Sequence, residues 1–282
     1  MLISIITPCY RAESFVGRMV RSLQKQTCAD WEAVLVADDG VDYEQVLRAQ
    51  GLQDSRLHFA STGHVKSGCH HGRNVGLEVA KGDFITFLDA DDAYLPRRLE
   101  VLLPIAVQHG AAADNLVVLD DASGQFLRHP LDPATDAKQV SAEDMFNLHT
   151  PMFPLTRRDC NLTRLPGVEF CEDIIGNLRL MELIGPVPFV PEPLMEYRVV
   201  MSSMCHNPDA AHHFDTAYTA YIDRLTTGDG FGLQTYRALA LQGFRYKQSL
   251  NRAFAVASQD HSALTFQDFV LRGIMPFRAL PV

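Results

Sequence analysis

The residues best suited to chemistry are three carboxylates that follow an apolar run. Residues 84–88 predict a buried strand, because the run is too short for a helix and is β-branched at Ile85 and Thr86. Asp89, Asp91 and Asp92 come directly after it, and three neighbouring carboxylates are costly to ionise together. A divalent cation removes this cost, and oxygen ligands suit Mg²⁺ or Mn²⁺. Since α/β sheets bind ligands at the carboxyl ends of strands, we expect a nucleotide diphosphate as the metal's other partner.

Asp92 taken alone has a structural interpretation. A helix is predicted to begin near Pro96, and an acidic residue just before a helix commonly caps its first turn. We therefore assign Asp92 to a helix cap. The metal site remains the preferred interpretation for the three carboxylates as a group.

The elements that must position these carboxylates alternate between strand and helix. Such repeats predict a parallel sheet with helices on its faces. The remaining pattern predicts further helices and strands, a glycine- and histidine-bearing loop at 63–72, and three prolines that break the chain around a short strand near 186–191. The predicted strands are 2–6, 33–37, 57–60, 84–88 and 116–119, and the predicted helices are 15–23, 74–80, 97–109, 173–184 and most of the chain beyond 208, with a break at 227–230.

Composition excludes several classes of protein. The chain has 282 residues, of which 47% are hydrophobic, and no apolar stretch reaches the length of a membrane-spanning helix. A net charge of −9 argues against nucleic acid as a partner. The six cysteines are scattered and match neither a zinc site nor a redox pair. The first residues predict a strand rather than a signal peptide, so we expect reduced thiols and a cytoplasmic location.

Five short motifs occur in order along the first hundred residues. This ordered set resembles a family 2 glycosyltransferase of the GT-A fold, strongly over 1–100, moderately to about 205 and not in the tail. The motifs are Ser-Ile-Ile-Thr-Pro-Cys-Tyr-Arg (4–11), Leu-Gln-Lys-Gln-Thr (23–27), Asp-Asp-Gly (38–40), Gly68 with Gly-Arg-Asn-Val-Gly (72–76), and Phe-Leu-Asp-Ala-Asp-Asp (87–92).

The resemblance implies a fold and a division into domains. The fold is the α/β GT-A nucleotide-diphospho-sugar transferase fold, with a mainly parallel sheet flanked by helices and a helical C-terminal appendage. The catalytic domain would span 1–205, with a nucleotide-binding half at 1–110 and an acceptor-binding half at 111–205. Residues 206–282 would form the helical appendage.

The resemblance also implies a nucleotide-binding set. Pro8 and Tyr10 would line the nucleotide pocket, where an aromatic ring can stack on a base. Asp38 or Asp39 would accept a hydrogen bond from the base. The two are not separable in sequence, because Val41 stands where the family usually has serine and the spacing before the turn is one residue longer.

Arg73 matches the family's arginine that faces the nucleotide, where its planar fork suits a phosphate or a base edge. A surface ion pair is the structural alternative. Asp91 matches the metal-binding residue of the family's Asp-X-Asp motif, and Asp89 its partner near the ribose and a second candidate ligand. His206 lies where some members bring a third ligand, although a lone histidine is more often structural.

Inverting sugar transfer needs a general base for the acceptor hydroxyl. The family places it in a Glu-Asp pair at the start of a helix, and Glu172 and Asp173 match that pair. Asp173 is the preferred base, with Glu172 in support. The structural alternative is an acidic residue that only stabilises the first helical turn.

Together these residues indicate an enzyme that moves a sugar from a nucleotide-sugar, with UDP as the expected nucleotide, to a saccharide or lipid-linked acceptor in surface polysaccharide or glycolipid synthesis. Two alternatives remain open. One is a non-catalytic subunit that binds a nucleotide-sugar. The other is a phosphatase with an aspartate nucleophile, although Ala93 stands where such enzymes typically have threonine or valine.

The tail differs from the rest of the chain in charge. Residues 231–282 hold six basic and two acidic residues, and Phe244, Tyr246, Lys247 and Arg252 mix aromatic rings with cations. This mixture suits contact with anionic lipid headgroups, so peripheral membrane association is one hypothesis. A solvated helix that covers the core is the alternative.

Overall fold

Parallel strands form the first half of the sheet. The computed structural model describes residues 1–160, 163–201, 203, 209–260, 264–271 and 273–280. Three of these strands are buried almost throughout, as expected for strands covered on both faces, whereas the strand at the edge of the sheet is only partly buried. They pair in the order β3-β2-β1-β4. They are β1 (Ile3–Cys9), β2 (Trp31–Ala37), β3 (Leu57–Ser61) and β4 (Phe84–Phe87).

Helices α1 (Val16–Gln24), α2 (Tyr43–Ala49) and α3 (Cys69–Val79) connect these strands. The sequence pattern did not predict α2. It also placed the start of α3 too late, since the predicted loop at 63–72 is already helical from Cys69.

The glycines of the fourth motif explain how α3 packs on the sheet. A Cβ atom at Gly72 would lie 3.0 Å from the Cβ of Pro8, and one at Gly76 would overlap the Ile6 side chain. Gly72 and Gly76 are one helical turn apart and therefore lie on the same face. Glycine at these positions allows α3 to approach β1 closely, which brings Arg73 to the end of the strand.

The second half of the sheet is mixed. The order continues β4-β9-β6-β10-β5, with β9 antiparallel to both neighbours and β10 parallel to β6. The helices here are α4 (Arg98–His109) and α5 (Glu172–Ile184). The strands are β5 (Ala93–Tyr94), β6 (Ala111–Asp120), β7 (Phe126–Arg128), β8 (Gln139–Val140), β9 (Leu155–Arg157) and β10 (Val187–Val199).

The three prolines do not break the chain around a short strand, as the sequence pattern had predicted. They lie in or next to β10, which has 13 residues. Its pairing with β6 shifts register on both sides of Pro193. Bulges of this kind let a strand carry prolines, which cannot donate a backbone hydrogen bond.

The C-terminal region is helical, as predicted, and consists of α6 (Ala210–Thr227), α7 (Arg237–Asp260) and α8 (Phe266–Leu271) with a short 3₁₀ turn after α6. Its helices share a hydrophobic core with the second half of the sheet, in which Tyr218 and Phe244 pack with Phe146 and Leu178. The division at residues 205 and 206 stays a prediction. None of the helices in the described ranges is long and apolar enough to cross a membrane.

A buried ion pair fixes α4 against β6. Arg98 donates two hydrogen bonds from Nε and one from Nη2 to the carboxylate of Asp114, at 2.8–3.1 Å, and both side chains are almost fully buried. Arg98 also donates to the carbonyl oxygen of Phe153 at 2.9 Å. The pair thereby holds the segment before β9, which borders the site described below.

We predict that Asp114→Ala lowers the free energy of unfolding by about 3–5 kcal/mol, because it leaves the buried Arg98 guanidinium without its counter-charge. Urea titration followed by circular dichroism measures this change. Asp159→Ala is the matched control, since Asp159 pairs with Arg157 on the surface, where solvent screens the pair and its loss should change stability little. Equal effects of the two substitutions would contradict the role assigned to Arg98.

Candidate active site

The candidate nucleotide-binding residues gather at one edge of the sheet. Strands β2, β1 and β4 are parallel neighbours, so their carboxyl ends lie side by side. The chain winds from β1 outward to β3 and then returns to β4 on the other side of β1. A crevice forms at such a reversal of strand order, and ligands of α/β proteins bind there.

Pro8 and Tyr10 lie at the end of β1, beside this reversal. Pro8 is partly buried beneath Gly72 of α3. The Tyr10 side chain is 37% exposed, and the guanidinium of Arg11 lies 5.3 Å from its ring centroid. Tyr10 therefore presents an aromatic ring that is open to a ligand, as a base-stacking residue requires.

The structure separates the two aspartates after β2, which the sequence did not. Asp38 is buried and accepts hydrogen bonds from the hydroxyls of Thr62 and Ser67 and from the backbone nitrogen of Gly68. Burial disfavours its charge, but these hydrogen bonds outweigh burial and hold the pKa of Asp38 below its usual value. Asp38 thus anchors the loop that leads into α3.

Asp39 anchors the neighbouring loop. Its carboxylate accepts hydrogen bonds from the backbone nitrogen of Arg11 at 2.6 Å, the hydroxyl of Tyr43 at 2.8 Å and the backbone nitrogen of Val41 at 3.0 Å. Val41, the departure from the family's serine, takes part in this turn through its backbone. Both aspartates therefore hold loops at the edge of the sheet where the nucleotide is expected to bind. A hydrogen bond from the base to either aspartate stays a prediction.

Arg73 is buried rather than engaged in a surface ion pair. Its side chain is 3% exposed, and its guanidinium bonds Asp89 through one nitrogen and Glu172 through another. The same guanidinium lies 4.7 Å from the ring centroid of Phe153. Arg73 thus joins the end of β4 to the first turn of α5, which are 83 residues apart in sequence.

Arg164 is a member of this network that the sequence analysis missed. Its Nε lies 3.1 Å from Oε2 of Glu172, and both side chains are buried. Glu172 is therefore held between two arginines. No motif surrounds Arg164 in the sequence, so nothing local marked it.

Asp92 does not cap a helix, contrary to the expectation from sequence. It is buried, and its Oδ1 accepts a hydrogen bond from the backbone nitrogen of Arg198 in β10 at 2.8 Å. The first residue of α4 has no side-chain cap. Burial and the charges of Asp91 and Asp89 raise the pKa of Asp92 well above its usual value, which favours its neutral form and a structural role.

Asp91 has a different environment. Burial and the charge of Asp89 raise the pKa of Asp91 to about 7. Arg18 donates to its main-chain oxygen at 2.6 Å but pairs its own charge with Asp121 at 2.8 Å. Within the described residues, the Asp91 carboxylate forms no ion pair, although a backbone hydrogen bond and the nearby Arg18 charge favour its ionised form.

The donor atoms at this position fit a hard divalent cation. Asp89 and Asp91 would supply oxygen ligands, and a cation would relieve the Asp91 charge, which no ion pair neutralises within the described residues. The described residues contain no cluster of three or more metal-binding side chains, so oxygens of a bound diphosphate and water would complete the coordination. The third candidate ligand, His206, lies outside the described residues.

Asp173 lies in the first turn of α5 and lines a cavity of about 210 Å³ that Arg73, Asp89 and Glu172 also border. Its Oδ2 accepts a hydrogen bond from the backbone nitrogen of Met152 at 3.2 Å. Burial and the charge of Glu172 raise the pKa of Asp173 to about 6. The carboxylate is thus oriented by one hydrogen bond and titrates in the range that suits a general base.

The tail residues that suggested membrane contact are mostly turned inward. Phe244 is fully buried, Lys247 is 7% exposed, and Arg252 pairs with Asp215 at 2.7 Å. This stretch packs on the core, as the alternative interpretation expected, and membrane contact stays a prediction. Lys247 lines the same cavity as Asp173, which the sequence did not indicate.

Known proteins are similar to this chain in sequence. The chain is 34% identical over 108 residues to the UDP-Glc:alpha-D-GlcNAc-diphosphoundecaprenol beta-1,3-glucosyltransferase WfgD of Escherichia coli, and 32% identical over 103 residues to the GalNAc(5)-diNAcBac-PP-undecaprenol beta-1,3-glucosyltransferase of Campylobacter jejuni. These matches cover 38% and 36% of this chain, and only 42% and 33% of the relatives.

A solved structure, S. aureus TarS 1-349 in complex with UDP-GlcNAc, superposes with a TM-score of 0.63 at 17% identity, covering 92% of this chain and 74% of TarS 1-349. This likeness confirms the predicted fold. The model of the family described as Glycosyl transferase family 2 matches residues 4–161, more than half of the 282 residues. The chain therefore belongs to glycosyl transferase family 2.

Proposed function

We propose that the protein transfers a sugar from a nucleotide-diphospho-sugar to a hydroxyl group of an acceptor, with inversion at the anomeric carbon. The observation that best supports this proposal is the pair of salt bridges that Arg73 forms with Asp89 and Glu172. They bring the carboxyl end of β4 and the first turn of α5 to one cavity. A donor site on one side and a general base on the other is the arrangement that direct displacement requires.

The proposed donor is a UDP-sugar, bound at the edge formed by β1, β2 and β4. The names of WfgD and of the TarS complex both include a UDP-sugar, which supports this choice. Asp91 and Asp89 are the proposed ligands of Mn²⁺ or Mg²⁺. When bound, such a cation neutralises charge that develops on a diphosphate leaving group.

On the acceptor side, the chain's own residues orient and deprotonate the hydroxyl. Asp173 is the proposed general base, since its carboxylate is fixed by Met152 and is ionised above about pH 6. Glu172 is held by Arg73 and Arg164 and is therefore a positioning residue rather than a second base. Asp173 takes the proton as the acceptor oxygen attacks the anomeric carbon.

The proposed acceptor is a saccharide or a lipid-linked saccharide in surface polysaccharide or glycolipid synthesis. Undecaprenol-linked acceptors occur in the names of both relatives, which supports this class. Family membership favours transfer over the phosphatase alternative. A non-catalytic subunit would bind the nucleotide-sugar but show no turnover, so the measurement below separates it from an enzyme.

A cytoplasmic location stays a prediction, and so does peripheral membrane contact. Phe244 and Lys247 point inward, so the mixture of aromatic and basic residues no longer supports membrane contact. Exposed apolar side chains in the tail support it instead. They are Val256 (64%), Leu271 (52%), Met275 (84%) and Leu280 (72%).

We predict that the wild-type protein, given Mn²⁺, turns over at least one member of a panel of UDP-sugars, and that Asp173→Asn lowers kcat by about 10²–10⁴-fold. The rate should rise with pH through about 6 and level off above it, because Asp173 must be deprotonated to accept the proton. Coupled detection of released UDP measures both quantities.

UDP affinity is the control, since Asp173→Asn leaves the β4 carboxylates unchanged. Equal rates for wild type and variant would remove Asp173 from the mechanism. Tight UDP binding without turnover of any donor, with neutral saccharides, acidic saccharides and lipid-linked acceptors all supplied, would support the non-catalytic alternative.

We predict that the protein sediments with vesicles containing anionic lipid at low salt and is released as salt rises, because the basic tail would contribute electrostatic attraction. Met275→Ser combined with Leu280→Ser should weaken sedimentation, since it removes two exposed apolar side chains. Absence of sedimentation by the wild type at low salt would exclude this contact.

A further inference from the structure

The cavity beside Asp173 has a second polar end, formed by the C-terminal helices. Lys247 of α7 and Gln267 of α8 border it there, together with His149 and Thr150 from the segment before β9. Phe170, Phe214 and Tyr218 form an aromatic wall of the same cavity. Neither the family motifs nor the donor site involve this end of the cavity.

Lys247 is a buried cation without a direct partner among the described residues. It is 7% exposed, lines the cavity, and forms no hydrogen bond or ion pair within the described part of the chain. The Asp173 carboxylate borders the same cavity and interacts with the Lys247 charge at longer range. An unpaired buried ammonium is costly unless a ligand supplies the missing charge.

Arg128 adds a second buried cation behind this end. Its guanidinium donates to the side-chain oxygen of Gln267 at 2.9 Å and to the carbonyl oxygen of Leu148 at 2.8 Å. Both acceptors are neutral, and Arg128 forms no ion pair with the described carboxylates. Two positive charges therefore act on the same region, against the single carboxylate of Asp173.

His149 lies between these cations and remains neutral. Burial, Lys247 and Arg128 together lower the pKa of His149 to about 2. Its Nδ1 and the hydroxyl oxygen of Thr150 are buried and have no hydrogen-bond partner among the described residues. The cavity thus combines an unpaired ammonium with two unpaired neutral polar groups.

The opposite end of the cavity differs in its charge balance. There Arg73 is shared by Asp89 and Glu172, and Arg164 adds a second positive charge to Glu172. Glu169 also borders the cavity but is exposed to solvent. Excess positive charge is therefore confined to the Lys247 end, whereas the Asp173 end carries a carboxylate.

We propose that Lys247, His149 and Thr150 form a subsite for an oxyanion, a phosphate or a carboxylate, carried by the acceptor. This inference rests on the proposed function and specifies its acceptor as an acidic saccharide. Lys247 supplies the charge, Thr150 donates a hydroxyl hydrogen bond, and the aromatic wall accommodates the sugar ring. With the oxyanion held at this end, a hydroxyl of the same molecule can reach Asp173.

The test is a comparison of four probes on the full chain saturated with UDP and Mn²⁺, which blocks the donor site. The anionic probes are N-acetylglucosamine 1-phosphate and glucuronic acid, and their neutral counterparts are N-acetylglucosamine and glucose. By ligand-observed NMR titration we expect at least one anionic probe to bind about tenfold or more tighter than its neutral counterpart. The anionic probe that binds with the higher affinity shows whether the subsite prefers a phosphate or a carboxylate.

In Lys247→Met the affinity for the anionic probe should fall to about that of its neutral counterpart. Lys247→Arg should retain part of the difference in affinity. Arg245→Met is the matched control, because Arg245 lies on the same helix but is exposed, and it should leave binding unchanged. If Lys247→Met unfolds at a markedly lower temperature than the wild type, the comparison rests on the wild-type preference and on Lys247→Arg.

Equal binding of anionic and neutral probes, no binding of any probe at millimolar concentration, or an unchanged preference in a folded Lys247→Met would each overturn the subsite. Failure of the wild type to bind UDP with Mn²⁺ would instead contradict the proposed donor site. The two failures are therefore distinguishable in one experiment.

Discussion

The structure depends on how buried charges are compensated around one arginine. Arg73 is almost fully buried and bonds one carboxylate from each half of the sheet, Asp89 at the end of β4 and Glu172 at the start of α5. Removing one partner of such a network leaves an isolated buried charge, which is strongly unfavourable. The bridge therefore fixes the spacing between the proposed donor site and the proposed general base, and the glycines of α3 allow it by bringing that helix close to β1.

At three positions no ion pair within the described residues neutralises a buried or partly buried charged side chain. These are the positions to which we assign ligands. Asp91 has no ion-pair partner among the described residues and would be neutralised by a cation. Asp173 is held by a single backbone hydrogen bond and would receive a proton from the acceptor. Lys247 forms no ion pair with the described carboxylates and would bind an anion on the acceptor. The same electrostatic argument thus accounts for the donor, the reaction and the acceptor class.

The sequence predicted the parts of the fold that depend on local pattern. The four apolar strands of the first half, the ordered motifs and the helical tail are confirmed, because alternation of short apolar runs with amphipathic segments is a strong signal. Helix α2 was missed, since its seven residues bury only Tyr43 and Leu47. Strand β10 was misjudged because bulges in its pairing with β6, which no local pattern reveals, accommodate its prolines. The Glu172 partner of Arg73 lies 99 residues away and the Arg198 partner of Asp92 lies 106 residues away, and Lys247 reaches the cavity from the C-terminal helices, so one sequence could not show these contacts.

The most direct test of this account is calorimetry of UDP binding with and without Mn²⁺ for the wild type and for Asp91→Asn. Asp83→Asn, at the amino end of β4 and far from the proposed site, is the control. We predict that Mn²⁺ strengthens UDP binding to the wild type and to Asp83→Asn by at least about tenfold, and that Asp91→Asn loses this gain. An undiminished gain in Asp91→Asn would contradict the assignment of this carboxylate, and with it the link between uncompensated charge and ligand binding.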